Sequence, residues 1–182
     1  RQKRISLAKA FVDAASFNIQ KNLRYYNNRG KGLDEYINAI EGLRLQIEKA
    51  EAVDELMGIE GNIRNTYYKA WPIIIEQEIE FERRVKQPPD NMVNALISYL
   101  NSLVYTTCLG EIYHTQLNPL ISYLHEPGDR RYSLSLDLAE IFKPIFADRI
   151  IFALLNRQQI TEKDFMTEVN LCYLNEKGRK TV

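Results

Sequence analysis

The stretch Met92–Leu117, MVNALISYLNSLVYTTCLGEIYHTQL, carries apolar residues nearly all round a helical wheel, with no internal proline and no early glycine. A helix that is apolar on every side must be covered by other elements. The stretch therefore predicts a central buried helix inside a multi-helix, all-α domain. Its neighbours supply the cover. Ile5, Ala8, Phe11, Val12, Ala15, Ile19 and Leu23 recur at helical spacing, and Ile37, Ile40, Leu43 and Ile47 continue the period after a turn-forming NNRGKGLD. Asp34 is the expected N-cap of that second helix. Its charges, Glu41, Arg44, Glu48, Lys49 and Glu51, read as a solvated face.

With 182 residues and 45% hydrophobic content, the chain suffices for one sizeable core, so residues 1–182 are expected to form a single domain. No uninterrupted apolar run suggests a bilayer span, and RQKRISLAKAFVDAAS lacks a signal-peptide core. A soluble, cytoplasmic protein with no membrane partner is expected. Cys108 and Cys172 are far apart and outside any Cys-x-x-Cys pattern, which argues against a zinc finger or a disulfide scaffold. Formal net charge is zero and neither supports nor excludes a nucleic-acid partner. A P-loop, a G-x-G-x-x-G turn and a serine-hydrolase elbow are all missing from the sequence.

Chemistry concentrates in two stretches. In HEPGDRRYSLSLDLAEIFKP, His125 precedes a basic loop, and SLSLDLAEIF reads as the start of a helix bearing Asp137 and Glu140 three residues apart on one face. This arrangement makes half of a metal site and needs another acid. The second stretch, AVDELMGIEGNIRNTYYKAW, places Glu60, Arg64, Tyr67, Tyr68 and Trp71 on one helix face. Glu60 is the candidate for the missing acid. A Glu60–Arg64 pair on the rim of an aromatic core is the simpler reading of the same residues. Gly58 and Gly61 each cost a helix about 1 kcal/mol relative to alanine, which suggests close approach of a backbone.

Other signals are weaker. Pro72 should end or kink its helix, and the charged segment up to Pro88-Pro89 reads as a connection, after which Asp90 is the expected cap. His114 with Glu111 has metal-binding spacing, but a histidine at a helix C-terminus is accounted for by the dipole. Pro144 predicts a kink, Thr161 with Asp164 a short capped helix, and LCYLNEKGRKTV a brief apolar segment followed by a polar turn.

GIEGNIRNTYYKAW, RRVKQPPDNMVNALISYLNSLVY and LNPLISYLHEPGDRRYSLSLDLAEIFKP occur here in an order and spacing that resemble the helical catalytic domain of the CRISPR-associated integrase of spacer acquisition. The resemblance runs from Arg4 to the NEKGRK turn. It implies a divalent-metal-dependent DNA endonuclease or integrase, with Glu60, His125 and Glu140 as catalytic metal ligands and Asp137 as a supporting or alternative ligand. Glu140 stands where some members carry aspartate. Mg²⁺ or Mn²⁺ suits such a carboxylate–imidazole set, in an open one-metal site.

The implied reaction is a transesterification in which the 3′-hydroxyl of a spacer-precursor DNA attacks a phosphodiester at the edge of a CRISPR repeat; water in place of that hydroxyl would cut DNA. Arg64, Arg84, Arg130, Arg131 and Lys143 are candidate backbone contacts. The resemblance also implies a homodimer, a second small CRISPR adaptation subunit and a β-rich domain before this one, and leads us to expect a catalytic domain incomplete at its C-terminus. Two other readings stand beside it: a non-catalytic helical DNA-binding or scaffold module, and a transposon-borne integrase relative.

Overall fold

α1, Gln2–Asn27, buries Ala8, Val12, Ala15, Ile19 and Leu23 along one stripe, as the spacing predicts. That stripe meets α2, Asp34–Ile47, and α3, Val53–Ile74, on one side and α5, Ser133–Phe142, on another. The computed structural model describes residues 2–79, 81–86, 88–125, 132–168 and 171–182. Gly30 and Gly32 take positive φ values of 83° and 65° in the α1–α2 turn. The Asn27 side chain closes this turn by accepting from Leu33 N at 2.6 Å and donating to Asp34 at 2.9 Å. Asp34 is thus the first helical residue rather than the cap, and its charge faces the positive end of the helix dipole.

α3 continues two residues past Pro72 to Ile74, further than the proline suggests, because a proline in the last turn disturbs little helix beyond it. At its N-terminus the Glu55 carboxylate accepts the Glu51 N–H at 2.7 Å. Its aromatic residues form a cluster in the core. Trp71 packs edge-on to Phe152 with centroids 4.7 Å apart, and Tyr67, Tyr68 and Phe81 surround it.

α4, Met92–Tyr113, is capped by Asn91, whose side chain accepts from Asn94 N at 2.9 Å. Asp90 instead receives the Asn94 and Asn91 amides, which corrects the expected cap by one residue. α4 is also less central than its composition suggests. Its residues from Met92 to Ile97, with Leu100, are buried, whereas Leu103 and Tyr113 lie exposed. By length and composition this helix is apolar enough to cross a membrane, contrary to the expectation from sequence, yet its N-terminal half is built into the core.

Beyond α5 the chain does kink at Pro144, through a π-helical turn, Pro144–Asp148, that runs into α6, Arg149–Asn156. Thr161 caps a single 3₁₀ turn, Glu162–Asp164. The final apolar segment is a strand. β1, Phe165–Glu168, pairs antiparallel with β2, Leu171–Leu174, so a two-stranded sheet is added to the otherwise helical fold. A bond of 2.8 Å from Cys172 N to Pro89 O ties β2 to the entry of α4. α7, Glu176–Thr181, closes the chain, and a Cβ at Gly178 would lie 2.3 Å from the Asp164 carbonyl, so only glycine fits there.

Candidate active site

Two carboxylates three residues apart on α5, Asp137 buried and Glu140 partly buried, organise the site. Asp137 is 0% exposed and accepts four hydrogen bonds from one strip of chain. Tyr123 N donates at 2.6 Å, Leu124 N at 3.0 Å, His125 N at 2.9 Å, and His125 Nδ1 lies 2.9 Å from Oδ1. Burial alone would raise its pKa, but the His125 ring and these backbone N–H groups outweigh that and hold it below the usual carboxylate value. An ionised carboxylate only accepts, so Nδ1 carries the hydrogen, and a neutral imidazole presents its Nε2 lone pair to a ligand.

Glu140, one helical turn on, is held differently. Its carboxylate receives Arg64 Nη2 on one oxygen and Lys143 Nζ on the other. Burial pushes its pKa up, but the two cations overcome this and bring it to about 2. Arg64 also reaches Glu60 Oε1 at 3.4 Å along α3, so one guanidinium bridges the acid of α3 and the acid of α5. Burial disfavours its charge, but Glu140 foremost, with Tyr68 and Glu60, holds its pKa well above the usual arginine value.

Glu60 from one stretch, and His125 and Glu140 from the other, therefore line one cavity of about 950 Å³, together with Arg64, Arg84, Lys143 and Arg179. Among the described residues, no three His, Cys, Asp or Glu side chains stand arranged to hold a metal ion as they are. Arg64 is paired with both Glu60 and Glu140 in this arrangement. The donor set nevertheless fits a hard divalent ion. It offers two carboxylates and an imidazole whose tautomer Asp137 has already chosen.

The other predicted residues divide clearly. Arg84 lines the cavity, but its guanidinium is spent on Asn94 Oδ1 at 3.0 Å, Asn94 O at 3.2 Å and Ser98 Oγ at 2.8 Å, fastening the 81–86 segment to α4. Lys143 pairs with Glu140. Arg130 and Arg131 lie outside the described residues. Glu111 and His114 are exposed at the end of α4. Among the described residues, Gly58 and Gly61 have nothing within 4 Å of where a Cβ would stand, so no described backbone requires them.

Sequence reasoning missed Asp148. It sits at the end of the π-helical turn, 1% exposed, and burial drives its pKa up to about 7 against the opposing charge of Arg64. Asn22 of α1 supports the same region, donating to the Tyr67 hydroxyl at 3.1 Å and to the Pro144 carbonyl at 2.7 Å. The signal in sequence was a lone acid within the apolar run KPIFADRIIF.

A family model described as CRISPR associated protein Cas1 matches residues 1–182. The chain belongs to the Cas1 family. It is 58% identical over 181 residues to the CRISPR-associated endonuclease Cas1 of Fusobacterium nucleatum, covering all of this chain and 54% of that protein. The Cas1 protein of Thermotoga maritima has the same fold, with a TM-score of 0.86 at 40% identity, over 99% of this chain and 56% of its own. A chain of a Cas6-RT-Cas1–Cas2 complex matches at a TM-score of 0.89 over 97% of this chain and 20% of that one; at 19% identity this likeness shows the fold alone. The chain spans about half the length of the curated Cas1 relatives it matches.

Proposed function

We propose that this chain is the catalytic half of a metal-dependent DNA endonuclease and integrase that joins DNA 3′-hydroxyl ends to CRISPR repeat DNA. The observation that carries the reading is the meeting of Glu60, His125 and Glu140 in one cavity, with His125 oriented by a buried carboxylate. Mg²⁺ or Mn²⁺ bound by these three residues would supply Lewis-acid stabilisation of the phosphoryl oxygen and of the attacking or leaving oxygen.

The chain's own residues do the rest. Asp137 fixes the His125 ring so that Nε2 is presented without a rotamer search, and its three backbone bonds hold residues 123–125 against α5. Arg64 keeps Glu60 and Glu140 paired, and so tolerable in a half-buried wall, before metal arrives. Lys143, once released from Glu140, would meet a non-bridging phosphate oxygen. Arg84 shapes the cavity wall rather than binding phosphate. The working assembly is a homodimer that pairs with a Cas2-type subunit in the cytoplasm, with spacer-precursor and repeat DNA as substrates.

Glu60→Ala, His125→Ala and Glu140→Ala should each abolish Mn²⁺-dependent cleavage or joining of DNA while leaving the helical circular-dichroism signal largely intact. Full activity in all three variants would remove the proposal. The arginine-paired acids favour one other reading, a non-catalytic DNA-binding scaffold. That reading predicts salt-sensitive DNA binding with no metal requirement in the same three variants.

A further inference from the structure

Arg64 both builds the site and blocks it. Its contacts take one oxygen of Glu60 and one of Glu140 and so compete with any cation for those two acids. A guanidinium stays charged at any ordinary pH, and this one has a side chain only 13% exposed, so it cannot be released into the wall without a partner. The groups facing Arg64 are Glu60, Tyr67 and Tyr68 from its own helix, Glu140 and Lys143 from α5, and Asp148 from the π-helical turn. Lys143 repels it, and the tyrosine rings carry no formal charge. Asp148 is the acid in this set that is not itself a proposed metal ligand.

The fold goes out of its way to put Asp148 there. Pro144 has no N–H to continue the α-helical ladder, and the chain widens into a π turn in which Asp148 N bonds to Lys143 O at 3.0 Å, five residues back. Asp148 lies in the core, 1% exposed. Its Oδ2 has no hydrogen-bond partner among the described residues. The Tyr67 hydroxyl acts on the carboxyl, yet one buried oxygen is left without a partner, which costs stability and calls for an explanation. Arg64 is not paired with this carboxyl in the structure, but Tyr67, one turn along α3 from Arg64, is tied to the start of the same π turn through Asn22, which donates to both the Tyr67 hydroxyl and the Pro144 carbonyl.

We propose that Asp148 is the counter-ion that receives Arg64 when a divalent cation takes Glu60 and Glu140, a positioning residue that opens the metal site without being a ligand. This rests on the metal-site reading above. The side chain of Arg64 moves within the wall from one set of carboxylates to the other, and the vacated space between α3 and α5 admits the cation. Without Asp148 the guanidinium has no other acid among the described residues that face it, and it competes with the metal.

The test is a Mn²⁺ titration of the full chain, followed by the electron paramagnetic resonance of the free ion, for the wild type and for Asp148→Asn, Arg64→Gln, Glu60→Gln and the Asp148→Asn/Arg64→Gln double variant. Asp148→Asn should weaken Mn²⁺ binding by roughly tenfold or more while the metal-free protein melts no earlier than wild type. Removing Arg64 as well should restore affinity to within roughly threefold of Arg64→Gln alone. A second readout needs no substitution at Asp148: the Arg64 Nε–Hε resonance of the wild type should shift when Mg²⁺ is added.

Wild-type affinity in Asp148→Asn, or an Arg64 resonance indifferent to Mg²⁺, overturns the proposal. So does a double variant that keeps the Asp148→Asn defect, which would make Asp148 a ligand. If Glu60→Gln weakens Mn²⁺ binding and Asp148→Asn does not, the metal site stands and only this proposal falls. A wild type that binds no Mn²⁺, or binds it unaffected by Glu60→Gln, sinks both.

Discussion

Asp137 and Glu140 share a helix and a face, yet they are held by opposite means. Asp137 is fixed by backbone N–H groups of residues 123–125 and by the His125 ring. Glu140 is held by two side-chain cations, Arg64 and Lys143. Backbone dipoles cannot leave without unfolding the segment that carries them, whereas a cationic side chain can be exchanged for another cation. The first carboxylate is therefore a fixed support, and the second is a replaceable contact.

That contrast is broken most directly by deleting each acid. Asp137→Ala leaves three backbone N–H groups unmet and frees the His125 ring, and should destabilise the fold by about 4 kcal/mol in urea unfolding. Glu140→Gln removes one partner of a half-buried network that keeps Glu60 for Arg64, and should cost about 2 kcal/mol. If the two losses came out reversed, the support and the replaceable contact would have been confused.

The pH dependence sharpens the same contrast with a third carboxylate. Glu140 is depressed from 4.5 to about 2, so its contribution is fully present above pH 4.5 and is lost as pH falls toward 2. Asp148 is raised from 3.8 to about 7, so its contribution is fully present below pH 3.8 and is lost as pH rises through 7. Thermal melting of the metal-free chain should show both limbs, and Asp148→Asn should flatten the upper one alone. The smallest effect concerns the glycine beside Glu60. Gly61→Ala fills open space on a helix and should stabilise by about 1 kcal/mol, a rise in melting temperature of roughly 2–4 °C.

How far the sequence could be read follows from what each feature depends on. The helical architecture was legible because apolar period and turn residues act locally, and α1, α2 and α3 follow them within a few residues. The burial of α4 was overdrawn, since its N-terminal half is covered nearly all round whereas its C-terminal half buries only Cys108 and Ile112. The β1–β2 hairpin escaped because its strands are four residues each, too short for alternation to stand out against a helical background.

At the site, His125, Glu140 and Glu60 stood out as candidates from residue type and spacing and took their ligand roles from the resemblance, and the fold brings them to one cavity. The pairing of Glu60 with Arg64 was legible from their four-residue spacing. What sequence could not show was the sharing of Arg64 with Glu140, because that contact spans α3 and α5 and has no local spacing to betray it. Asp148 was hidden for a related reason, since its position depends on a π-helical turn that a proline permits but does not by itself predict.

The central claim is that Glu60, His125 and Glu140 become one metal site once Arg64 withdraws. Anomalous diffraction from Mn²⁺-soaked crystals tests it most directly. The account predicts one manganese peak within about 2.0–2.4 Å of a carboxylate oxygen of Glu60, a carboxylate oxygen of Glu140 and Nε2 of His125, with Arg64 turned toward Asp148. A crystal without manganese there, with Arg64 still bridging Glu60 and Glu140, would contradict it.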